Sequence, residues 1–426
     1  MYSVRVNNSY VAKASNVVAN SLGLALLTWL CVTFASPGYT QVHDYGTWSI
    51  PENPKPTPNK DTLDFYLKRY LTDYTKFGSY VSERAKVPSP LARDIRKEDQ
   101  VVTALRETAL LSYLLYENGK IVVDEISPSD RFGTLVNNDT KFFSMSVGKS
   151  MVSYLLGHAV CSGVVKGLDE KVSNWPLLAG TLYQQATLVD LINMRAGDQQ
   201  YVNEQKGFIN SKRRQTNPNV HSVKANLNAE LKDSVPAAAF FNYNSMAPNL
   251  VLNYIIFRSE GKFDVLMKKM FQEKVGIADS VFFLKQPRGD EDEGLAVAMF
   301  YASRYDYLRI AKAMLDDWQA DTCEGRYLKE IYKRRVAKQG DQMRTSNPSG
   351  PFWSYRGYGG FFHTDFYNFK SSRNIISFQG YGGQMTVIDF DQGRIVSAHA
   401  IHNDYDWKRL VNGVIDTGRF RSGFWN

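Results

Sequence analysis

Asn118-Gly119 stands between two apolar runs, Leu110 to Tyr116 and Ile121 to Ile126. Asn-Gly supplies the two left-handed residues of a tight turn, so Glu117-Asn118-Gly119-Lys120 predicts an antiparallel hairpin. Strand-like runs return only near the other end of the chain: Ile375 to Phe378, Gln384 to Asp389 and Arg394 to His399. The last two are joined by Phe390-Asp391-Gln392-Gly393. Between the two groups the spacing predicts helices over Thr187 to Met194, Leu250 to Phe257, Phe263 to Phe271 and Leu295 to Leu315. A closing helix is expected over Trp407 to Ile415. Strands near both ends with helices between them predict one antiparallel sheet assembled from both termini and flanked by helices. The helical middle, residues 165–320, would form a mainly helical lobe, giving an α/β chain of the α+β kind. A substrate cleft would lie between lobe and sheet.

The stretch Phe143-Ser144-Met145-Ser146-Val147-Gly148-Lys149-Ser150 leads into an apolar run ending at Cys161. It reads as a helix entered at Ser146 and stopping near Ser162-Gly163. Residues three apart share a helix face, so Ser146 and Lys149 can meet. A serine hydroxyl needs an adjacent base to act as a nucleophile at neutral pH. A lysine amine serves if burial or a cationic neighbour lowers its pKa. The helix start adds backbone N–H groups that favour developing negative charge. Gly148-Lys149-Ser150 also matches the end of a phosphate-binding loop, but that motif needs glycine where Phe143 stands, which excludes nucleotide binding.

The chain has 426 residues, 43% apolar and 22% charged, ordinary values for a soluble globular protein. Its net charge of +8 is dispersed except at Lys212-Arg213-Arg214 and Lys333-Arg334-Arg335, which read as solvated faces. No nucleic-acid partner is expected. Arg5 and Lys13 precede an uncharged apolar core from Leu22 to Ala35. Residues 1–35 thus predict a cleaved signal peptide or, if the segment extends upstream to Val17, an N-terminal membrane anchor. Either places the protein outside the cytoplasm, periplasmic or secreted. Residues 36–60, with Pro51, Pro54, Pro56 and Pro58, read as a linker or arm, and residues 61–426 as the folded domain. That domain opens on a helical pattern from Asp61 to Gly78. Residues 200–232 are polar and read as an insertion or a long substrate-side loop. Of three cysteines, Cys31 lies in the leader; Cys161 and Cys323 are consistent with one disulfide or with two buried thiols. No Cys/His spacing suggests a metal site.

The chain resembles the serine β-lactamase and penicillin-binding-protein superfamily, and within it the class C β-lactamase-related branch that includes the 6-aminohexanoate-dimer hydrolases. The resemblance is carried, in order, by Phe143 to Ser150, Gly167-Leu168-Asp169 and Leu191-Ile192-Asn193-Met194-Arg195-Ala196-Gly197. It continues through Phe241-Asn242-Tyr243-Asn244-Ser245, Tyr358-Gly359-Gly360-Phe361-Phe362 and Gly380-Tyr381-Gly382-Gly383-Gln384. It implies a β-lactamase/transpeptidase-like fold with Ser146 as acylated nucleophile and Lys149 as neighbouring base or proton shuttle, the serine proton going to either Lys149 or Tyr243. Tyr243 would relay a proton to the leaving group. Ser245 would bind substrate or Lys149, its bland alternative being a helix cap. The amide of Ser146 and one from Gly380-Tyr381 would form the oxyanion hole.

The resemblance implies no metal and no organic cofactor, and a small-molecule ester or amide as substrate. β-Lactamases and transpeptidases carry Lys-Thr or His-Thr where this chain has Phe378-Gln379. That departure favours an esterase or amidase over the alternative, a β-lactamase or D-Ala-D-Ala peptidase. A catalytically inactive binding protein on the same fold is the reading of another class; intact Ser146, Lys149 and Tyr243 argue against it. His399 and His402 would fit a Ser-His-Asp scheme, but with Lys149 as base both read as structural.

Overall fold

The computed structural model describes residues 77–202, 221–338, 351–366 and 372–420. The expected leader or anchor, the proline-bearing arm and the helix from Asp61 lie outside the described residues, as does 203–220 of the polar insertion. In chain order the strands are β1 (Gly78–Ser82), β2 (Leu110–Glu117), β3 (Lys120–Ile126), β4 (Phe142–Phe143), β5 (Val281–Lys285) and β6 (Ala296–Ala302). They continue with β7 (Val336–Ala337), β8 (Tyr355–Gly359), β9 (Phe362–Phe366), β10 (Ile375–Gly380), β11 (Gln384–Asp389) and β12 (Arg394–Ala400).

The larger sheet runs β3-β2-β12-β11-β10-β9-β8-β7, with every neighbouring pair antiparallel. The β2–β3 hairpin therefore joins the C-terminal strands through β12, and the sheet is built from both ends of the chain as expected. Asn118 and Gly119 both take positive φ, 52° and 81°, the conformation that lets a two-residue turn follow the strand twist.

Six helices matter to the site: α1 (Asp99–Glu107), α2 (Val147–Cys161), α3 (Leu188–Ile192), α4 (Met246–Arg258), α5 (Arg304–Ala320) and α6 (Cys323–Lys333). Helix α2 is buried from Val147 to Ala159, which explains why its sequence is apolar all round rather than on one stripe. It lies in the larger core, with β6, α4 and one face of the sheet. The opposite face packs on α1 and on the helical segment 408–417 in a second cluster. Cys161 and Cys323 form a disulfide that joins the end of α2 to the start of α6, with Cα atoms 5.9 Å apart. Closing so long a loop stabilises by about 5 kcal/mol in the chain-entropy account.

A second sheet, β1-β5-β6-β4, corrects one expectation. Leu295 to Leu315 reads as a single helix, yet Ala296–Ala302 is a strand and α5 begins only after Ser303, whose side chain accepts from the Asp306 amide. The strand is buried on both faces, so its sequence carries no alternation, and a short apolar run alone does not distinguish strand from helix. Its pairing with β4 and β5 decides the matter. The 165–320 stretch thus holds β5 and β6 besides its helices. Within the polar insertion, residues 223–231 are helical, capped by Ser222.

Candidate active site

The turn that carries Ser146, the expected nucleophile, is built on strain and on a clamp to β6. Met145 has φ 47°, a left-handed conformation that costs a non-glycine residue on the order of 1 kcal/mol or more. It bends the chain from β4 into α2, so that Ser146 stands at the helix start. Ser144 holds the bend: its amide donates to the Phe300 carbonyl and its hydroxyl accepts from the Phe300 amide, both at 2.8 Å. The amides of Val147, Gly148 and Lys149 return to the carbonyls of Ser144, Met145 and Ser146.

Lys149 is buried, 3% exposed, and donates from Nζ to Ser146 Oγ at 2.9 Å. The same nitrogen lies 3.4 Å from Ser245 Oγ and 4.9 Å from the centre of the Tyr243 ring. Ser146, Lys149, Tyr243 and Ser245 are therefore brought together. Ser245 occupies the N-cap position of α4 but makes no capping bond with its side chain. Asn244 does the capping instead, accepting from the Ala247 amide at 2.9 Å. The Ser245 hydroxyl is thereby left facing Lys149.

Asp198 anchors the loop that carries Tyr243. Its carboxylate accepts from Asn242 Nδ2 at 2.7 Å, Asn244 Nδ2 at 3.2 Å and the Tyr183 hydroxyl at 2.7 Å. Burial pushes the Asp198 carboxyl above its usual range, and these bonds work against the shift. Helix α3 ends beside it. Asn193 accepts from the Gly360 amide at 2.9 Å and donates to the Arg334 carbonyl at 2.8 Å. The Phe361 carbonyl in turn accepts from Ser150 Oγ of α2 at 2.7 Å. Three of the scattered motifs thus meet at the β8–β9 turn behind the nucleophile helix.

The strand expected to supply the second oxyanion amide is β10, which ends at Gly380. This strand pairs with β9 only at Ser377 and His363, while its other edge stays paired to β11 through Gly380 and Gln384. A side chain on Gly380 would place its Cβ 2.5 Å from the Ser144 carbonyl oxygen and 3.0 Å from Met145 Cβ. Only glycine lets β10 approach the nucleophile turn this closely. Tyr381 follows it, 41% exposed, and Gly382 and Gly383 turn the chain into β11 with φ of 82° and 87°. Phe378 points into the larger core, its ring 5.2 Å from that of Phe362.

His399 is held elsewhere, between the rings of Phe142 (4.7 Å) and Tyr307 (4.8 Å), and burial pushes it down to about 3. Arg334 and Arg335, read as a solvated face, are ion-paired with Asp169 and Asp365. Asp198, Asn193, Lys338 and His363 are structural or functional partners that the sequence does not single out. Only the Asn-rich motif around Tyr243 hinted that a buried acceptor must exist. Among the described residues no group of three His, Cys, Asp or Glu side chains is placed to hold a metal ion.

The Beta-lactamase family model matches residues 99–408. No curated protein matches the chain in sequence. Among solved structures it is similar to a putative 6-aminohexanoate-dimer hydrolase from Bacillus anthracis, at 12% identity and a TM-score of 0.59, covering 86% of this chain and 98% of that one. A putative beta-lactamase from Bacteroides dorei follows at 14% identity and 0.51, covering 72% and 93%. EstCE1, described as a hydrolase with promiscuous acyltransferase activity, stands at 12% and 0.50, covering 82% and 96%. At such identities the likeness to these structures concerns the fold, and it agrees with the family match over most of the chain. The chain belongs to the Beta-lactamase family, a hydrolase of the serine β-lactamase and penicillin-binding-protein superfamily with the β-lactamase/transpeptidase-like fold.

Proposed function

We propose that the protein is an exported serine hydrolase that cleaves a small ester or amide through an acyl-Ser146 intermediate. The observation that carries this reading is the 2.9 Å hydrogen bond from Lys149 to Ser146 Oγ inside a buried cluster with Tyr243 and Ser245. In its neutral form the Lys149 amine accepts the serine proton as Oγ attacks the substrate carbonyl carbon. The oxyanion is received by the amides of Ser146 and Tyr381. No acceptor is found for the Ser146 amide among the described residues, whereas the amides of Val147, Gly148 and Lys149 return to the turn's own carbonyls. As the carbonyl–leaving-group bond breaks, the Tyr243 phenol returns a proton to the departing alkoxide or amine. Water, deprotonated by the same pair, then hydrolyses the acyl-serine and restores Ser146.

Two features support export: the leader-like segment before residue 36, and the Cys161–Cys323 disulfide, a bond that persists in oxidising compartments. Cleavage of β-lactams or D-Ala-D-Ala peptides is disfavoured by Phe378, a core side chain where those enzymes present a cation.

The test is intact-protein mass spectrometry after exposure to a fluorophosphonate and, separately, to a penicillin, with wild type and Ser146→Ala side by side. A fluorophosphonate adduct that disappears in the variant is the expected result. A stable penicillin adduct would move the reading to the cell-wall branch. No adduct on a folded sample would leave the non-catalytic binding protein as the better account.

A further inference from the structure

Lys338 is a buried amine that the acyl-transfer chemistry leaves unused. It follows β7, is 2% exposed, donates from Nζ to the Phe352 carbonyl and shares a hydrogen bond with His363 Nδ1, each at 2.7 Å. Sheet register explains its place. Val336 pairs with Tyr358, Tyr358 with His363, and His363 with Ser377, so these four share one face. Lys338, two residues beyond Val336, returns to that face.

The same face meets the Tyr243 loop. The rings of Phe352, Tyr358 and His363 stand 4.9, 5.9 and 6.4 Å from that of Tyr243. Lys338 Nζ itself lies 4.1 Å from the centre of the Phe352 ring. An amine in such aromatic surroundings is expensive to desolvate, and an apolar side chain of similar shape would fill the space at less cost.

Burial holds the Lys338 amine well below the usual lysine range. His363 is likewise held well below the usual histidine range, by burial first and then by the charges of Lys338 and Lys149. A neutral imidazole whose Nδ1 accepts from Lys338 carries its own proton on Nε2. The titratable groups facing the His363 ring are Lys338 after β7, Tyr355 and Tyr358 of β8, Tyr243 of the loop before α4, and Lys149 of α2.

We propose that Lys338 and His363 are positioning residues for Tyr243: Lys338 fixes the His363 ring, and the pair holds the Tyr243 ring against Lys149. The proposal rests on the acyl-Ser146 reading.

The experiment measures kcat and KM for p-nitrophenyl butyrate across the acidic and alkaline limbs, using the full chain as wild type, Lys338→Met and Lys338→Arg. Lys338→Met leaves the His363 ring without its Nζ partner, so kcat should fall about tenfold with KM unchanged and the pH limbs in place. Lys338→Arg, which keeps a donor for the Phe352 carbonyl and His363, should retain most of the wild-type kcat. Should Lys338→Met fail to fold, His363→Gln is read for the same fall in kcat. An unchanged kcat in Lys338→Met, or an equal loss in Lys338→Arg, overturns the proposal. Failure of the acyl-serine reading is distinguished by wild type that takes no fluorophosphonate at Ser146.

Discussion

Lys149 Nζ lies 3.4 Å from Ser245 Oγ, a residue 96 positions away in the chain, while donating to Ser146 Oγ at 2.9 Å. Two hydroxyls from two helix starts therefore hold one amine, removing the side-chain freedom that a lysine would otherwise lose only on reaction. Lys149→Ala should slow fluorophosphonate labelling of Ser146 by about 10²- to 10⁴-fold, the usual cost of losing a general base. Lys149→Arg should be no better, because guanidinium does not surrender its proton near neutral pH. Ser245→Ala should cost less, about fivefold, since it removes one hydrogen bond of roughly 1 kcal/mol. Labelling at wild-type rate in Lys149→Ala would contradict the assignment.

Gly380→Ala should strike the chemistry harder than the fold. Its Cβ would meet the Ser144 carbonyl oxygen at 2.5 Å, a backbone atom in the strained turn that carries Ser146. Relief requires β10 and the turn to separate, which pulls the Tyr381 amide away from the oxyanion. A loss of about 10²- to 10³-fold in kcat is expected, as for removal of one oxyanion donor. Steady-state kinetics alongside circular dichroism checks it; unchanged kcat would mean that Gly380 serves only the turn.

Asp198 should matter to both stability and rate. Replacing it with Ala leaves the Tyr183 hydroxyl and the Asn242 and Asn244 amides without their buried acceptor. A destabilisation of about 2–4 kcal/mol is expected in urea unfolding. At low urea, where the variant stays folded, kcat should also fall because the Tyr243 loop has lost its anchor. A variant that is less stable yet fully active would show that the loop is held by other contacts.

His399 predicts an acid-labile fold. Burial lowers its folded pKa to about 3, below the unfolded value, so the unfolded chain binds the proton more tightly. Its contribution is thus fully present above the unfolded histidine pKa of about 6.5 and is lost as pH falls towards 3, at about 1.4 kcal/mol per unit. His158, lowered to about 4 by burial, acts in the same direction over a shorter window. Thermal melts should show Tm falling from about pH 6 downwards, and His399→Phe, which keeps the stack between Phe142 and Tyr307, should flatten that fall. An identical slope in the variant would assign acid lability elsewhere.

Much of the site was legible because its signals are local. Ser146 and Lys149 lie one turn apart on a helix that announces itself by an apolar run, and Asn118-Gly119 specifies its own turn. Tyr243 and Ser245 came from a motif, and Gly380 from its glycines. What the motif did not reveal is why Ser245 is available to Lys149: Asn244 takes the capping duty, and that division depends on side-chain directions.

Strand β6 shows where local reading stops. A segment buried on both faces has no periodicity to display, so its neighbours decide what it becomes. Lys338 shows the same limit in a functional group. It stands three residues after Arg335, in a basic stretch whose two arginines are paired at the surface, yet β7–β8 register turns it inward beside His363.

The sequence alone therefore determined the sheet built from both ends, the hairpin that starts it and the Ser146–Lys149 spacing, the last two following from residues within one or two turns of one another. Only the tertiary structure decided which unsignalled groups stand around these motifs: Asp198 beneath the Tyr243 loop, and Lys338 and His363 beside the Tyr243 ring. Their roles come from burial and from distances across strands and helices, which no local pattern encodes.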